Sequence, residues 1–265
     1  MLPGAPVDNV SAIALEEFKQ ILRPYKGWLI ALGILSLFNF LLLGIFCIGL
    51  FALYGYILNQ VKSLFWKEFA ESRGWSYEEN RSIVGEKALL FREGDTQMAR
   101  HTIRGTYNDQ PLSLFEYTYT EGSGKHKRTY RYTIFEIKFA GVFPHLYLNN
   151  ITNGDYVSFF SKIGLPKLSL PAEFEKKFAL YAPKEYEIEA LAIFSPNTLN
   201  FLLDTKWRHD FELVESELII SRMQHIGNRN ELESELAAVQ KLIDHLAPKL
   251  NRASFSPIGN YPATL

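Results

Sequence analysis

The chain has 265 residues, enough for a membrane anchor and one or two folded domains. Its formal net charge of −1 excludes a general attraction to nucleic acid or to anionic lipid. Its 14 Tyr and 20 Phe fall mostly in β-like stretches, which excludes a disordered chain, and its one cysteine, Cys47, excludes an intrachain disulfide and any Cys-based metal site.

Residues 1–26 read as a tail followed by a short amphipathic helix. Pro3, Gly4 and Pro6 loosen the tail. Ser11 caps a helix over 12–25 whose Leu15, Phe18, Ile21 and Leu22 fall at helical spacing, so the expectation is a helix lying on the membrane surface. Pro24 breaks or kinks the chain just before the next segment.

Residues 27–58 carry no charge over 32 positions and are expected to embed in the lipid bilayer. Arg23 and Lys26 bound the run on one side, Lys62 and Lys67 on the other. A signal peptide does not fit, because the run is too long and follows a tail containing Glu16 and Glu17. As one helix, 32 residues would extend about 48 Å against a hydrocarbon core of about 30 Å. Trp28 and the Tyr54/Tyr56 pair stand about 39 Å apart on such a helix, near the spacing of the two interfacial aromatic belts. The pattern therefore favours one transmembrane span over about 29–52, with a hairpin turning near Asn39 or Gly44 as the alternative. Basic residues balance across the run: Lys19, Arg23 and Lys26 before it, Lys62, Lys67 and Arg73 after it. The cysteine-free remainder tilts the expectation toward a cytosolic C-terminal domain.

Residues 59–74 continue as a juxtamembrane helix with Val61, Leu64, Phe65 and Phe69 on one stripe, ending at Arg73-Gly74. Residues 75–250 then read as a soluble α+β domain built on a mainly antiparallel sheet. Strands are expected at 101–107, 112–120 and 129–139, with turns at 108–111 and 121–125. Alternation over 112–120 predicts a half-buried strand, and Leu114 or Phe115, Tyr117, Ile134 and Phe135 are the packing candidates. A short strand follows at 144–148, then an extended crossing at 165–171 with proline at both ends. Segments 173–180 and 188–194 fit helix or strand equally. Ser195 and Pro196 open a helix to about Thr205, and 211–214 with 217–222 read as a strand pair. Leu232, Leu236, Val239, Ile243 and Leu246 predict a C-terminal amphipathic helix over 231–247, opened by Asn230 with Glu233 and stopped by Pro248. Residues 251–265 are expected to form a disordered tail.

The chemistry-bearing strings are weak. Gly122-Ser123-Gly124-Lys125 lacks the first glycine and the Ser/Thr of a phosphate-binding loop and lies between two strands, so it reads as a hairpin tip. With His126, Lys127 and Arg128 it forms a basic knob, a solvated loop unless the hairpin faces lipid phosphates. The histidines at 101, 126, 145, 209, 225 and 245 show no metal-ligand spacing. Arg208-His209-Asp210 reads as a surface turn rather than a catalytic pair, and Asn150-Ile151-Thr152 as a fortuitous glycosylation sequon. The reading therefore assigns no catalytic, cofactor-binding or metal residue.

Several stretches in order, WKEFAESRGWSY at 66–77, LFEYTYTEGSGKHKRTYRYTIFEI at 114–137, FPHLYL at 143–148, FEKKFALYAP at 174–183 and EALAIFSPNTLNFLL at 189–203, resemble a set of bacterial membrane proteins catalogued as a domain of unknown function. The resemblance implies one or two hydrophobic helices followed by a β-rich domain at a bacterial inner membrane. It implies no activity or catalytic residue; Phe115, Tyr117, Phe135, Phe174 and Tyr181 stand in it as packing and turn residues. The expected function is a non-enzymatic, membrane-anchored interaction or scaffold module with an unidentified protein partner. A membrane-bound enzyme with a site assembled from distant residues, or an envelope or lipid sensor using the basic knob, are the alternatives.

Overall fold

A computed structural model describes residues 9–37, 40–153 and 165–251. The expected tails at 1–8 and 252–265 lie outside the described residues. The fold is α+β: a long apolar helix, an antiparallel sheet of six strands, and flanking helices.

The first helix, α1, spans Val10–Leu22, and its cap is Asn9, not Ser11: the Asn9 side chain accepts the Ala12 N–H at 3.1 Å. A 3₁₀ turn through Arg23–Tyr25 leads directly into α2, Lys26–Leu37. The third helix, α3, runs Phe40–Ser72. The uncharged run falls in these two described helices; the turn near Asn39 that the hairpin alternative needs lies outside the described residues.

The two halves of α3 have different fates. Leu42, Ile45, Ile48 and Phe51 are exposed, whereas Ile57, Val61, Phe65, Trp66, Phe69 and Ala70 are buried in the main core. Leu53, Tyr54 and Leu58 are half-buried against that core while Tyr56 is 64% exposed, so the end of the 27–58 segment packs on the protein along one side only. The helix ends as expected at Gly74, whose φ of +68° needs no side chain, with the Trp75 N–H donating back to Ala70 O at 2.8 Å.

The sheet contains β1 (Ser76–Arg81), β2 (Thr96–Tyr107), β3 (Gln110–Glu121), β4 (Arg128–Asn150), β5 (Phe178–Tyr181) and β6 (Asp210–Met223). The first four form a meander; its last three strands are the ones expected, and β1 pairs onto β2 as an edge strand that the sequence reading did not include. Asn108 and Asp109, both at positive φ, make the tight β2–β3 turn. Strand β4 is 23 residues long and absorbs the separate 144–148 strand. It pairs with β3 and then β5 along one edge, and with β6 along the other. The expected 211–214 and 217–222 pair is instead one strand, β6, which carries Glu215 at φ 54° and continues along β4 instead of folding on itself.

Both faces of the sheet are covered. On one, Leu112, Leu114, Phe135 and Ile137 pack against α3. On the other, Phe115, Tyr117, Tyr119, Tyr132 and Ile134 lie beneath Ala88 and Phe91 of the β1–β2 connection. This is why β3 is buried nearly throughout rather than on alternate residues.

The described residues contain four further α-helices: α4 (Ala172–Glu175), α5 (Glu187–Ile193), α6 (Pro196–Asp204) and α7 (Arg229–Leu250). All five predicted stripe residues of α7 are buried. Its cap is Asn228, whose side chain accepts the Glu231 N–H at 2.8 Å; Glu233, the predicted partner of an Asn230 cap, instead pairs with Arg73. Pro248 sits inside the last turn and does not stop the helix, since a proline there forfeits one hydrogen bond where little helix remains.

Candidate membrane interface and the buried charge clusters

The feature that soluble packing does not explain is the α2/α3 tip. Trp28 is 80% exposed, Ile48 69% and Phe51 78%, and Ile30, Leu32, Ile34, Leu35, Leu42 and Ile45 are exposed with them. Soluble monomers rarely expose contiguous apolar patches beyond a few hundred Å². By length and composition α3 is a candidate membrane-spanning helix, and the chain is accordingly membrane-associated. Only its first part is free to meet lipid, however. Residues 40–52 extend about 20 Å, and the 12 residues of α2 about 18 Å.

At the base of this tip α1 is fastened to the folded domain through Val10 and Ala14, while Leu15 and Ile21 of the predicted stripe stay exposed. Val10 N–H donates to Gly227 O at 2.9 Å, Asn9 bridges Asn228, and Val10 and Ala14 are buried in the main core. Phe18 meets Tyr54 edge-on, with ring centroids 5.5 Å apart. Amphipathic spacing alone does not say whether a helix buries its apolar stripe in lipid or in protein.

Immediately behind the tip, α3 is bolted to the sheet by charge. Lys62 Nζ donates to both oxygens of Glu116 at 2.9 and 3.0 Å, Trp66 Nε1 lies 3.4 Å from the same carboxylate, and His225 Nδ1 lies 3.0 Å from it. Burial alone would raise the Glu116 carboxyl. The hydrogen bonds and charges of His225 and Lys62 outweigh it and hold the group at about 2. Beside this cluster Ser63 Oγ, Tyr77 OH and His101 Nδ1 form a chain at 2.9 and 3.0 Å. His101 occupies the β2 bulge at φ 53°, and burial pushes its imidazole below the ordinary value.

Sequence reasoning used Lys62 only as a charge bounding the apolar run and singled out neither Glu116 nor Ser63. The available signal was a lysine beside the apolar stripe of a helix and a glutamate in the middle of an aromatic strand, both out of place unless paired.

Two further clusters are internal. His209 Nε2 and Arg222 Nε reach Glu235 at 2.7 and 3.2 Å, joining β6 to α7, and these partners overcome burial to hold Glu235 at about 2. Arg208-His209-Asp210 is therefore not a surface turn: His209 and Asp210 are buried, and only the Arg208 side chain is largely exposed. Burial raises Asp210 to about 6, although it accepts the Asn150 N–H at 2.7 Å. Asn150 of the sequon is buried and its side chain accepts from Thr152, so the folded chain offers no acceptor there.

On the face away from α3 a cavity of about 500 Å³ is lined by Glu78, Arg81, Glu86, Arg104, Glu136 and Lys138 among others. Arg81 pairs with Glu136 at 2.6 Å and Glu86 at 2.7 Å, Arg104 with Glu78 at 2.5 Å, and Lys138 with Glu217 at 2.9 Å. Each of these three cations pairs with a carboxylate, and Arg81 Nη1 is buried without a hydrogen-bond partner. Among the described residues no group of three or more His, Cys, Asp or Glu converges as a metal site.

No family model matches the chain, and no curated protein matches it. One solved structure shares its fold. That structure is the crystal structure of the mycobacterial trehalose monomycolate transport factor A, TtfA, matched at a TM-score of 0.50 and 12% identity over 70% of this chain and 94% of that one. At that identity the likeness is one of fold.

Proposed function

We propose that this chain is a non-enzymatic, membrane-anchored module that works at a lipid surface, held there by a helical hairpin that enters and leaves the bilayer on one face. The observation that carries this reading is the joint placement of α1 and the α2/α3 tip. A span crossing the membrane once would separate α1 from the sheet domain, yet Val10 and Ala14 are buried in that domain's core. The two arms, about 18 and 20 Å long, are short against a hydrocarbon core of about 30 Å. They suit insertion past one leaflet and return. The name of the structural neighbour, a trehalose monomycolate transport factor, supports an envelope-lipid setting. A bacterial inner membrane with the domain on the cytosolic side agrees with the lack of cysteine outside the hairpin. The interaction role rests on the internal pairing of the buried charge clusters.

Cys47 provides a test without engineering. It is exposed on the protein surface of α3 and falls within the lipid-facing arm. In intact membranes a membrane-impermeant maleimide should leave Cys47 unmodified from either side, and should label it once the protein is unfolded in detergent. Ready labelling in intact membranes sinks the proposal.

A further inference from the structure

The β3–β4 turn carries an exposed run of Lys125, His126, Lys127 and Arg128. Its direction relative to the hairpin follows from the order of contacts along α3. Beyond the end of α3, Trp75 lies on Gly105, which pairs with Leu112 at the start of β3. One-third of the way back, Lys62 and Trp66 meet Glu116, midway along β3. Moving along α3 toward the hairpin therefore moves along β3 toward Glu121 and the turn. The reach agrees. From Glu116 to Glu121 a strand advances about 17 Å. From Lys62 back to Phe51, just beyond the half-buried Leu53 and Tyr54, the helix advances about 17 Å. The basic turn projects to the level at which α3 leaves the protein.

The same level carries other groups suited to a headgroup region. Arg23, Tyr25, Lys26 and Trp28 are exposed at the foot of α2. The opposite end is acidic, with Asp109 in the β2–β3 turn and Asp244 beside Tyr107 and Asn108. Lys125 and Lys127 carry the turn's excess positive charge, since Glu121 stands opposite Arg128.

We infer that the β3–β4 turn is a second membrane contact, in which Lys125, Lys127 and Arg128 bind the phosphates of anionic lipid headgroups beside the inserted hairpin. This rests on the anchor reading above. It adds a lipid preference and fixes the sheet domain against the surface, because two separated contacts restrain a tilt that one hairpin leaves free. Each basic residue close to an anionic surface contributes about fivefold, and with Glu121 opposite Arg128 the turn's two excess cations favour docking by roughly 25-fold.

The full chain with Ser123→Cys and Cys47→Ser, labelled with a fluorophore at 123, is reconstituted into phosphatidylcholine vesicles with or without phosphatidylglycerol. A quencher is placed on the lipid headgroups. Quenching should be strong with the anionic lipid, weak without it and relieved by 1 M salt. Replacing Lys125, Lys127 and Arg128 with Ser should abolish it. Equal quenching in the two lipid mixtures, or quenching that survives the triple replacement, overturns the inference, as does no quenching in either. The anchor is read separately from shielding of Cys47 in the unmodified chain. A shielded Cys47 with an unquenched turn defeats only the second contact, whereas an exposed Cys47 defeats the anchor.

Discussion

Replacing Glu116 with Gln should loosen α3 from the sheet. The carboxylate is buried, receives two contacts from Lys62 and one from His225, and is held at about 2 against an ordinary 4.5. The shift of about 2.5 units corresponds to about 3 kcal/mol at 1.36 kcal/mol per unit. That agrees with the roughly 3–5 kcal/mol lost when one partner of a buried ion pair is removed. Because the folded-state value is depressed, this stability is present above about pH 4.5 and lost as pH falls toward 2. Denaturant titration of the full chain in mild detergent should show Glu116→Gln destabilised by about 3 kcal/mol at pH 7, with the gap closing near pH 2. Removing Lys62 as well, as Lys62→Met with Glu116→Gln, should recover part of the loss, since no unpaired ammonium is then buried. A loss under about 1 kcal/mol at pH 7, or an undiminished gap at pH 2, refutes the reasoning.

Other substitutions probe the rest of the fold. Asp210 has the opposite sign: its folded-state value of about 6 exceeds the ordinary 3.8, so its burial penalty is complete above pH 6 and vanishes below about 4. Asp210→Asn should therefore raise stability at pH 8 by up to about 3 kcal/mol, and the gain should fade by pH 4; destabilisation at pH 8 would show that the charge itself is needed. Gly105→Ala should cost about 1–3 kcal/mol in thermal or denaturant unfolding, because a Cβ there would lie 2.3 Å from the Trp75 ring. An unchanged midpoint would mean that Trp75 moves aside freely. Leu236→Ala on α7 should cost about 2–5 kcal/mol, and a loss below 1 kcal/mol would argue against close packing at that buried stripe.

Much of the fold was legible because its periodicities are strong. The β2–β3–β4 meander, the α7 stripe and the helix end at Gly74 all follow from local pattern. What escaped local pattern was decided by tertiary partners. Alternation in β3 suggested one buried face, but the β1–β2 connection covers the other with Ala88 and Phe91. Asn228 and Asn230 each precede a glutamate by three residues, and Asn228 wins the cap while Glu233 turns to Arg73. In the uncharged run, composition marks an apolar stretch long enough for a membrane but does not locate a reversal of the chain, and aromatic spacing pointed to one span. The docking of α1 supplies the constraint that spacing lacks. The Lys62–Glu116–His225 cluster joins residues more than 50 positions apart, beyond the reach of any local motif.

The same-face hairpin is tested by the sidedness of α1 and α7. Single cysteines at Ser11 and Lys249, each in the Cys47→Ser chain, are treated with an impermeant maleimide in sealed vesicles of uniform orientation. Both positions should label from the same side of the membrane and be protected from the other. Labelling from opposite sides would place a full crossing between α1 and the sheet domain and contradict the hairpin.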